Sequence, residues 1–229
     1  MILLALDTAT PSCSVALVED QRVMGELRRH DGETHSRHLL TMVDDLLGSC
    51  QVALSNVDAI AVTRGPGSFT GIRIGMATAK GFSAALGIPL VGVSSLDALA
   101  LQASESAGLC CCLVDARKQE VYCGIYRSDG PGAIRQVQEP FVAGPDQVAA
   151  IIKERCVLIG DGALLYRQRI QERLGPLARF APEADHRIRG ATVARIGLQR
   201  MARGADEAGN DLLPLYIRKS DAELSLGSA

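Results

Sequence analysis

The chain has 229 residues, enough for one large domain or two smaller ones that each bury a core. Its 24 basic and 26 acidic residues leave a formal net charge of −2, so bulk attraction to nucleic acid is not expected, and 3% aromatics with no Trp argue against a base-stacking surface. No stretch approaches the roughly 18–20 uninterrupted apolar residues of a membrane span. The opening Met1-Ile2-Leu3-Leu4-Ala5-Leu6-Asp7 lacks the basic region of a signal peptide. The seven cysteines include the run Cys110-Cys111-Cys112 and show no C-x-x-C spacing. They read as small buried hydrophobes of a reducing cytoplasm, not as a disulfide framework or a zinc site.

In chain order, Met1 to Leu6, Cys13 to Val18 and Arg22 to Arg28 read as three strands joined by tight polar turns. The first turn, Asp7-Thr8-Ala9-Thr10-Pro11-Ser12, gathers a carboxylate and hydroxyls at a strand end. That is a metal–phosphate ligand set on one reading and ordinary turn chemistry on the other. Thr34 is a plausible N-cap for a helix from His35 to about Ser49, with Leu39, Leu40, Val43, Leu46 and Leu47 at helical spacing and Met42 widening the stripe. His35 and His38, three apart, could face one metal, but no third ligand has matching spacing, and packing or capping at an interface fits better.

The stretch Ala59 to Leu86 organises the rest. A short apolar strand breaks at Arg64-Gly65-Pro66-Gly67 and continues from about Ser68 as a long helix. A turn between a strand and a helix N-terminus can hold an anion; alternatively, Gly65 and Gly67 only supply backbone freedom. Neither the Walker loop nor the G-x-G-x-x-G fingerprint matches the glycine spacing. Within the helix, Gly71, Gly75 and Ala79 share one face. Glycine inside a helix costs roughly 1 kcal/mol against alanine, so another backbone is expected to pack there, either the chain's own sheet or a second helix.

Leu90 to Val93 is a further strand and Ser94 to about Ser104 a helix; Ser95 has no G-x-S-x-G elbow around it and reads as a cap. Glu105-Ser106-Ala107-Gly108 is the expected boundary between residues 1–105 and 106–229. The second half has strands at Leu109 to Val114 and Glu120 to Arg127, a turn from Ser128 to Gly132, a helix at Val148 to Lys153, and a strand at Val157 to Ile159. The turn Gly160-Asp161-Gly162-Ala163 follows, then helices at Leu164 to Leu174 and Thr192 to Arg203 and an extended tail from Leu213 to Lys219. The arginines between Arg155 and Arg218 are interleaved with acids, as on a solvated surface. Each half is a hairpin followed by alternating helices and strands. This duplicated α/β order resembles the two-lobed actin, hexokinase and heat-shock-chaperone (ASKHA) superfamily, in which two mixed-sheet lobes close over a nucleotide.

Five segments together resemble the TsaB (YeaZ) family: Leu4 to Thr10, Thr34-His35-Ser36-Arg37-His38-Leu39-Leu40, GPGSFTGIRIG from Gly65 to Gly75, Val114-Asp115-Ala116-Arg117, and Pro214-Leu215-Tyr216-Ile217-Arg218-Lys219. The resemblance spans the chain nearly end to end. It implies a cytoplasmic, non-catalytic subunit of the complex that transfers a threonylcarbamoyl group to N6 of adenosine at position 37 of tRNAs reading codons that begin with A. It also implies binding to the catalytic paralogue TsaD and the ATPase TsaE, self-association as a homodimer through the N-terminal lobe, and contact with tRNA only through the complex.

No cofactor is expected for the chain alone; ATP and metal belong to the assembly. In the catalytic paralogue a His-x-x-x-His helix binds metal, and the aligned positions here are Ser95 and Leu99. The implied partner interface comprises His35, His38, Leu39, Met42, Val43, Leu46, Gly71, Arg73, Gly75, Met76 and Ala79. The implied vestigial nucleotide site comprises Asp7, Thr8, Gly65, Gly67, Gly160 and Gly162. The second-lobe loop Asp115-Ala116-Arg117-Lys118-Gln119-Glu120 lacks the glycines that phosphate binding uses. Two alternatives remain at this point: a sugar-kinase-like enzyme that binds or hydrolyses ATP, and a glycoprotease-like peptidase, which lacks a nucleophile–base constellation here.

Overall fold

The structure is a computed structural model that describes residues 1–30, 34–105, 108–204 and 212–218. The first sheet is built from β1 (Ile2–Asp7), β2 (Cys13–Glu19), β3 (Arg22–Arg29), β4 (Ala59–Gly65) and β5 (Leu90–Ser94), in the order β3-β2-β1-β4-β5. The first three strands are antiparallel, and β4 and β5 add in parallel. The second sheet repeats this plan with β6 (Gly108–Asp115), β7 (Val121–Gly130), β8 (Ala133–Ala143), β9 (Cys156–Ile159) and β10 (Ala178–Phe180), in the order β10-β9-β6-β7-β8. Again a hairpin and its third strand are antiparallel while β9 and β10 run parallel. The duplicated two-lobed α/β architecture is therefore present.

Alternation along the strands fixes the layers. On β1, Leu4 and Leu6 face a core completed by α1 (His35–Cys50) and α2 (Phe69–Leu86), whereas Leu3 and Ala5 face the space between the sheets. On β6, Cys111 and Leu113 point to an outer core shared with α4 (Pro145–Ile151) and α6 (Arg167–Leu174), while Cys110 and Cys112 point inward. Of the seven cysteines, all are free thiols and only Cys50 is not buried, as their reading as small hydrophobes requires. The Cys111–Cys123 and Cys110–Cys112 sulfur atoms are 3.6 and 3.7 Å apart; the contact with Cys123, followed by burial, pushes the Cys111 thiol up, and burial, followed by the contact with Cys110, pushes the Cys112 thiol up.

Between the sheets lie α3 (Ser95–Gln102) and α7 (Gly190–Met201), and each crosses to the other half. Helix α3 follows β5 yet packs on β6 and β7; α7 follows the second sheet yet packs on β1, β2, β4 and β5. The start of α7 is pinned to the first sheet by Gly190 N–H to Ser14 Oγ (2.7 Å) and Ala191 N–H to Glu26 Oε1 (3.0 Å). Residues 190–201 thus follow the second sheet in sequence but pack on the first, and Leu212 is buried in the first lobe's core. In the same layer Tyr126 donates its hydroxyl to Asp97 Oδ1 (2.9 Å), and Arg200 donates to Asp97 Oδ2 (3.1 Å) and the Gly92 carbonyl (2.6 Å).

Three local expectations change. The turn expected at Ser128 to Gly132 is partly strand, because β7 runs to Gly130 and pairs with an edge strand, β8, that the sequence conceals. Its centre, Arg135 to Glu139, is exposed and Pro140 interrupts it, which an edge strand tolerates. The single helix expected from Leu164 to Leu174 is two, α5 (Asp161–Leu165) and α6, broken at Tyr166. Lys219 of the expected tail, and Ser106 and Ala107 of the expected boundary, lie outside the described residues.

Candidate functional site

The carboxyl ends of β1, β4 and β5 in one lobe, and of β6 and β9 in the other, meet at the cleft between the sheets, where an open α/β sheet places its ligands. Asp7 ends β1 with no exposed surface. Its Oδ1 accepts from Thr63 Oγ1 (2.7 Å) and Ala9 N–H (3.1 Å), while Oδ2 has no partner among the described residues. Burial pushes the Asp7 carboxyl up to about 7; the two hydrogen bonds pull the other way, and the charge of Asp161 in the opposite lobe adds to the push. Asp161 Oδ1 accepts from Asp115 N–H (3.2 Å) and Gly162 N–H (2.9 Å), and burial raises its carboxyl to about 6. The two carboxylates thus sit at or just after the ends of β1 and β9 in opposite lobes, each raised by its own burial.

The glycine turns do not form a phosphate cradle. A Cβ on Gly67 would strike the Ala9 carbonyl, one on Gly65 would lie 2.8 Å from the Leu215 carbonyl, and one on Gly160 would strike the Leu113 carbonyl. Gly162 lies against the same carbonyl, with a Cβ falling at 3.0 Å. Two of the N–H groups at the start of α2 are already bonded within the chain: Ser68 N–H to the Ala9 carbonyl (2.7 Å) and Gly71 N–H to Ser68 Oγ (3.2 Å). Gly65, Gly67, Gly160 and Gly162 thus lie against the chain's own backbone carbonyls, the close approach for which they lack a side chain.

Opposite, the hairpin between β6 and β7 is also filled. Arg117, Lys118 and Gln119 have φ of 60°, 51° and 60°, three successive side-chain-bearing residues in the left-handed region. Each such residue costs about 1–2 kcal/mol, so the surroundings must hold the turn. Ala116 N–H to the Glu120 carbonyl (3.0 Å), Glu120 N–H to the Arg117 carbonyl (2.9 Å) and Arg117 N–H to Asp115 Oδ1 (2.9 Å) do part of this.

The expected interface residues separate into two groups. Leu39, Met42, Val43 and Leu46 of α1, and Met76 and Ala79 of α2, are buried against the first sheet. The small-residue stripe is likewise internal. Thr8 donates Oγ1 to the Gly71 carbonyl (2.8 Å), a Cβ on Gly71 would strike the Thr8 carbonyl, and a Cβ on Gly75 would strike Thr8 Oγ1. In the chain by itself these six apolar positions and the two glycines are therefore turned to its own sheet and first turn, not to the surface where the sequence reading expected them. His35 is half-buried and donates Nε2 to the Thr10 carbonyl (2.8 Å), fastening α1 to the first turn; His38 is also half-buried.

What the helices do present outward is Leu40, at 59% exposure, and Phe69 with Arg73. The Arg73 guanidinium lies 3.7 Å from the Phe69 ring centroid, Tyr216 stacks on Phe69 at 5.6 Å, and Arg73 Nε donates to the Tyr216 hydroxyl (3.3 Å). Phe69 and Tyr216 carried no assigned role in the sequence; only composition against periodicity, a Phe at the exposed start of α2, could have marked them. Ser95 and Leu99 lie in α3 with 0% and 1% exposure. Among the described residues no group of three or more His, Cys, Asp or Glu could hold a metal, and no helix is long and apolar enough to cross a membrane.

The family model described as TsaD, tRNA N6-adenosine threonylcarbamoyltransferase, matches residues 29–226. The tRNA threonylcarbamoyladenosine biosynthesis protein TsaB of Bacillus subtilis (strain 168) is 34% identical over 97% of this chain and 96% of its own length. The chain belongs to the TsaB (YeaZ) family. YeaZ from Pseudomonas aeruginosa superposes with a TM-score of 0.80 at 35% identity, covering 94% of this chain and 99% of that one. The ROK hexokinase from Thermus thermophilus, at 13% identity, shares the fold alone, with a TM-score of 0.50 over 89% of this chain and 100% of the other.

Proposed function

We propose that this chain is a cytoplasmic binding subunit in the formation of N6-threonylcarbamoyladenosine at position 37 of tRNAs that read codons beginning with A. It supports the catalytic TsaD together with TsaE, and does not carry out the transfer itself. The relative from Bacillus subtilis, matched nearly end to end, is named for threonylcarbamoyladenosine biosynthesis. The observation that carries the non-catalytic reading is the closed glycine turn: backbone carbonyls of Ala9 and Leu215 stand where a phosphate cradle would open. The positions aligned with the paralogue's metal-binding histidines are a buried serine and a buried leucine, and a leucine cannot ligate a cation. ATP and metal are assigned to the assembled complex, and tRNA contact to the complex as a whole.

The contact surface is placed on the outer face of α1 and the first turn of α2, around Leu40, Phe69 and Arg73. Arg73 stacked on Phe69 and bonded to Tyr216 offers the arginine and tyrosine in which binding energy concentrates, and Leu40 adds an exposed apolar side chain on α1. The same face serves self-association in the absence of TsaD. Co-expression with TsaD and TsaE of the same genome, followed by sizing, tests the placement. The parent chain is expected to co-elute with TsaD and Leu40→Glu is expected to elute apart while remaining folded; co-elution of Leu40→Glu would contradict it. Calorimetric titration of the isolated chain with Mg-ATP is expected to give no heat of binding, whereas micromolar binding with turnover would favour a kinase-like enzyme.

A further inference from the structure

The segment 212–218 runs from one core to the other around the carboxyl ends of β4 and β5. Leu212, with no exposed surface, is buried in the core under α1 and α2, and Ile217 packs against the core between the sheets. Between these anchors Leu215 donates its N–H to the Arg64 carbonyl (2.7 Å), and its own carbonyl lies against Gly65. Tyr216 stacks on Phe69. At the far end Arg218 reaches the opposite lobe, donating Nη1 to the Ala116 carbonyl (3.1 Å) and pairing through Nη2 with Glu120. Those two residues bracket Arg117, Lys118 and Gln119, the three in left-handed conformation.

One short segment therefore holds the glycine turn of the first lobe and a strained turn of the second. We propose that residues 212–218 form a releasable clasp: in place, it holds the glycine turn of the first lobe and keeps the hairpin turn of the second in its strained form; released, it frees both turns. The asymmetry of its contacts sets the order of release. Leu212 is anchored by burial and Leu215 by a backbone hydrogen bond, whereas the second lobe is held by one arginine side chain. Arg218 is the part that lets go first. The turn it grips supplies the driving force, because residues held in an unfavourable region relax when the restraint is removed. The base of the turn is tied to the neighbouring strand end, because Asp115 donates its N–H to Asp161. The exposed side of the clasp shares the Phe69 and Arg73 surface, so a protein seated there would touch the clasp as well.

Hydrogen–deuterium exchange on the full isolated chain tests this and needs no partner, so its outcome is separate from that of the proposed function. In Arg218→Ala, exchange is expected to rise about tenfold or more in peptides covering residues 114–122 and, less steeply, 66–70, with β1 and β4 unchanged. The charge swap Glu120→Arg with Arg218→Glu is expected to return exchange at 114–122 toward the parent level. Unchanged exchange at 114–122 in Arg218→Ala would overturn the proposal. So would an equal rise across β1 and β4, which would make the segment an ordinary part of the core, or a swap that restores nothing.

Discussion

The Thr8 hydroxyl donates to the carbonyl oxygen of Gly71 at 2.8 Å, joining the first turn of the chain to the first turn of α2. The contact exists because Gly71 and Gly75 present no side chain, so α2 settles onto the Thr8 backbone and hydroxyl. The small-residue face is thereby consumed inside one lobe, and the helix leaves Phe69 and Arg73 exposed instead.

Gly75→Leu should consequently damage folding and not association alone. Overpacking a filled contact costs about 1–3 kcal/mol and more where backbone is the obstacle, whereas Leu40→Glu on the surface should change stability by no more than about 0.5 kcal/mol. Urea denaturation of both variants checks this. A Gly75→Leu chain as stable as the parent would show that α2 can lift off Thr8.

Stability should fall as pH rises from about 4 toward 7, because Asp7 is harder to ionise folded than unfolded. Its carboxyl sits at about 7 in the folded chain, above its ordinary 3.8. A raised carboxyl contributes stability that is fully present below the unfolded value and lost as pH rises through the folded one. Asp161, raised to about 6, acts in the same direction. Asp7→Asn should flatten the dependence of the urea midpoint on pH and be the more stable protein above pH 7, by an amount on the order of a few kcal/mol. An equally steep profile in Asp7→Asn would remove Asp7 from the explanation.

Tyr126→Phe should cost about 1–2 kcal/mol, since Asp97 loses a buried hydroxyl donor. Because Arg200 donates to the other oxygen of the same carboxylate, Arg200→Met and Tyr126→Phe together should differ from the sum of the single changes by about 0.5–3 kcal/mol. Strict additivity in a double-mutant cycle would mean that α3, β7 and α7 are not tied through Asp97.

Most of the architecture was legible because it rests on local patterns. The alternation of β1, the helical spacing of α1, and the strand–turn–helix of β4 and α2 lie where hydrophobic periodicity puts them. What stayed hidden depends on tertiary context. The β8 strand is polar, exposed at its centre and interrupted by Pro140, so only pairing with β7 makes it a strand. The crossing of α7 to the first sheet has no local signature; it appears only once Gly190 meets Ser14. The stripe of Gly71, Gly75 and Ala79 correctly announced a close backbone, but spacing alone does not say whose, and the answer is Thr8. Arg218 was visible as one of many arginines; that it grips a left-handed turn follows only from the folded chain.

The central claim, that the chain acts through its partners and not through chemistry of its own, is tested most directly by an omission assay. Threonylcarbamoyladenosine formed on tRNA is measured with TsaD, TsaE and threonylcarbamoyl-AMP, with and without this chain. The account predicts that omission reduces the product to background, that adding the chain back restores it, and that the chain alone forms none. Product accumulating at an unchanged rate without the chain, or formed by the chain alone, would contradict it.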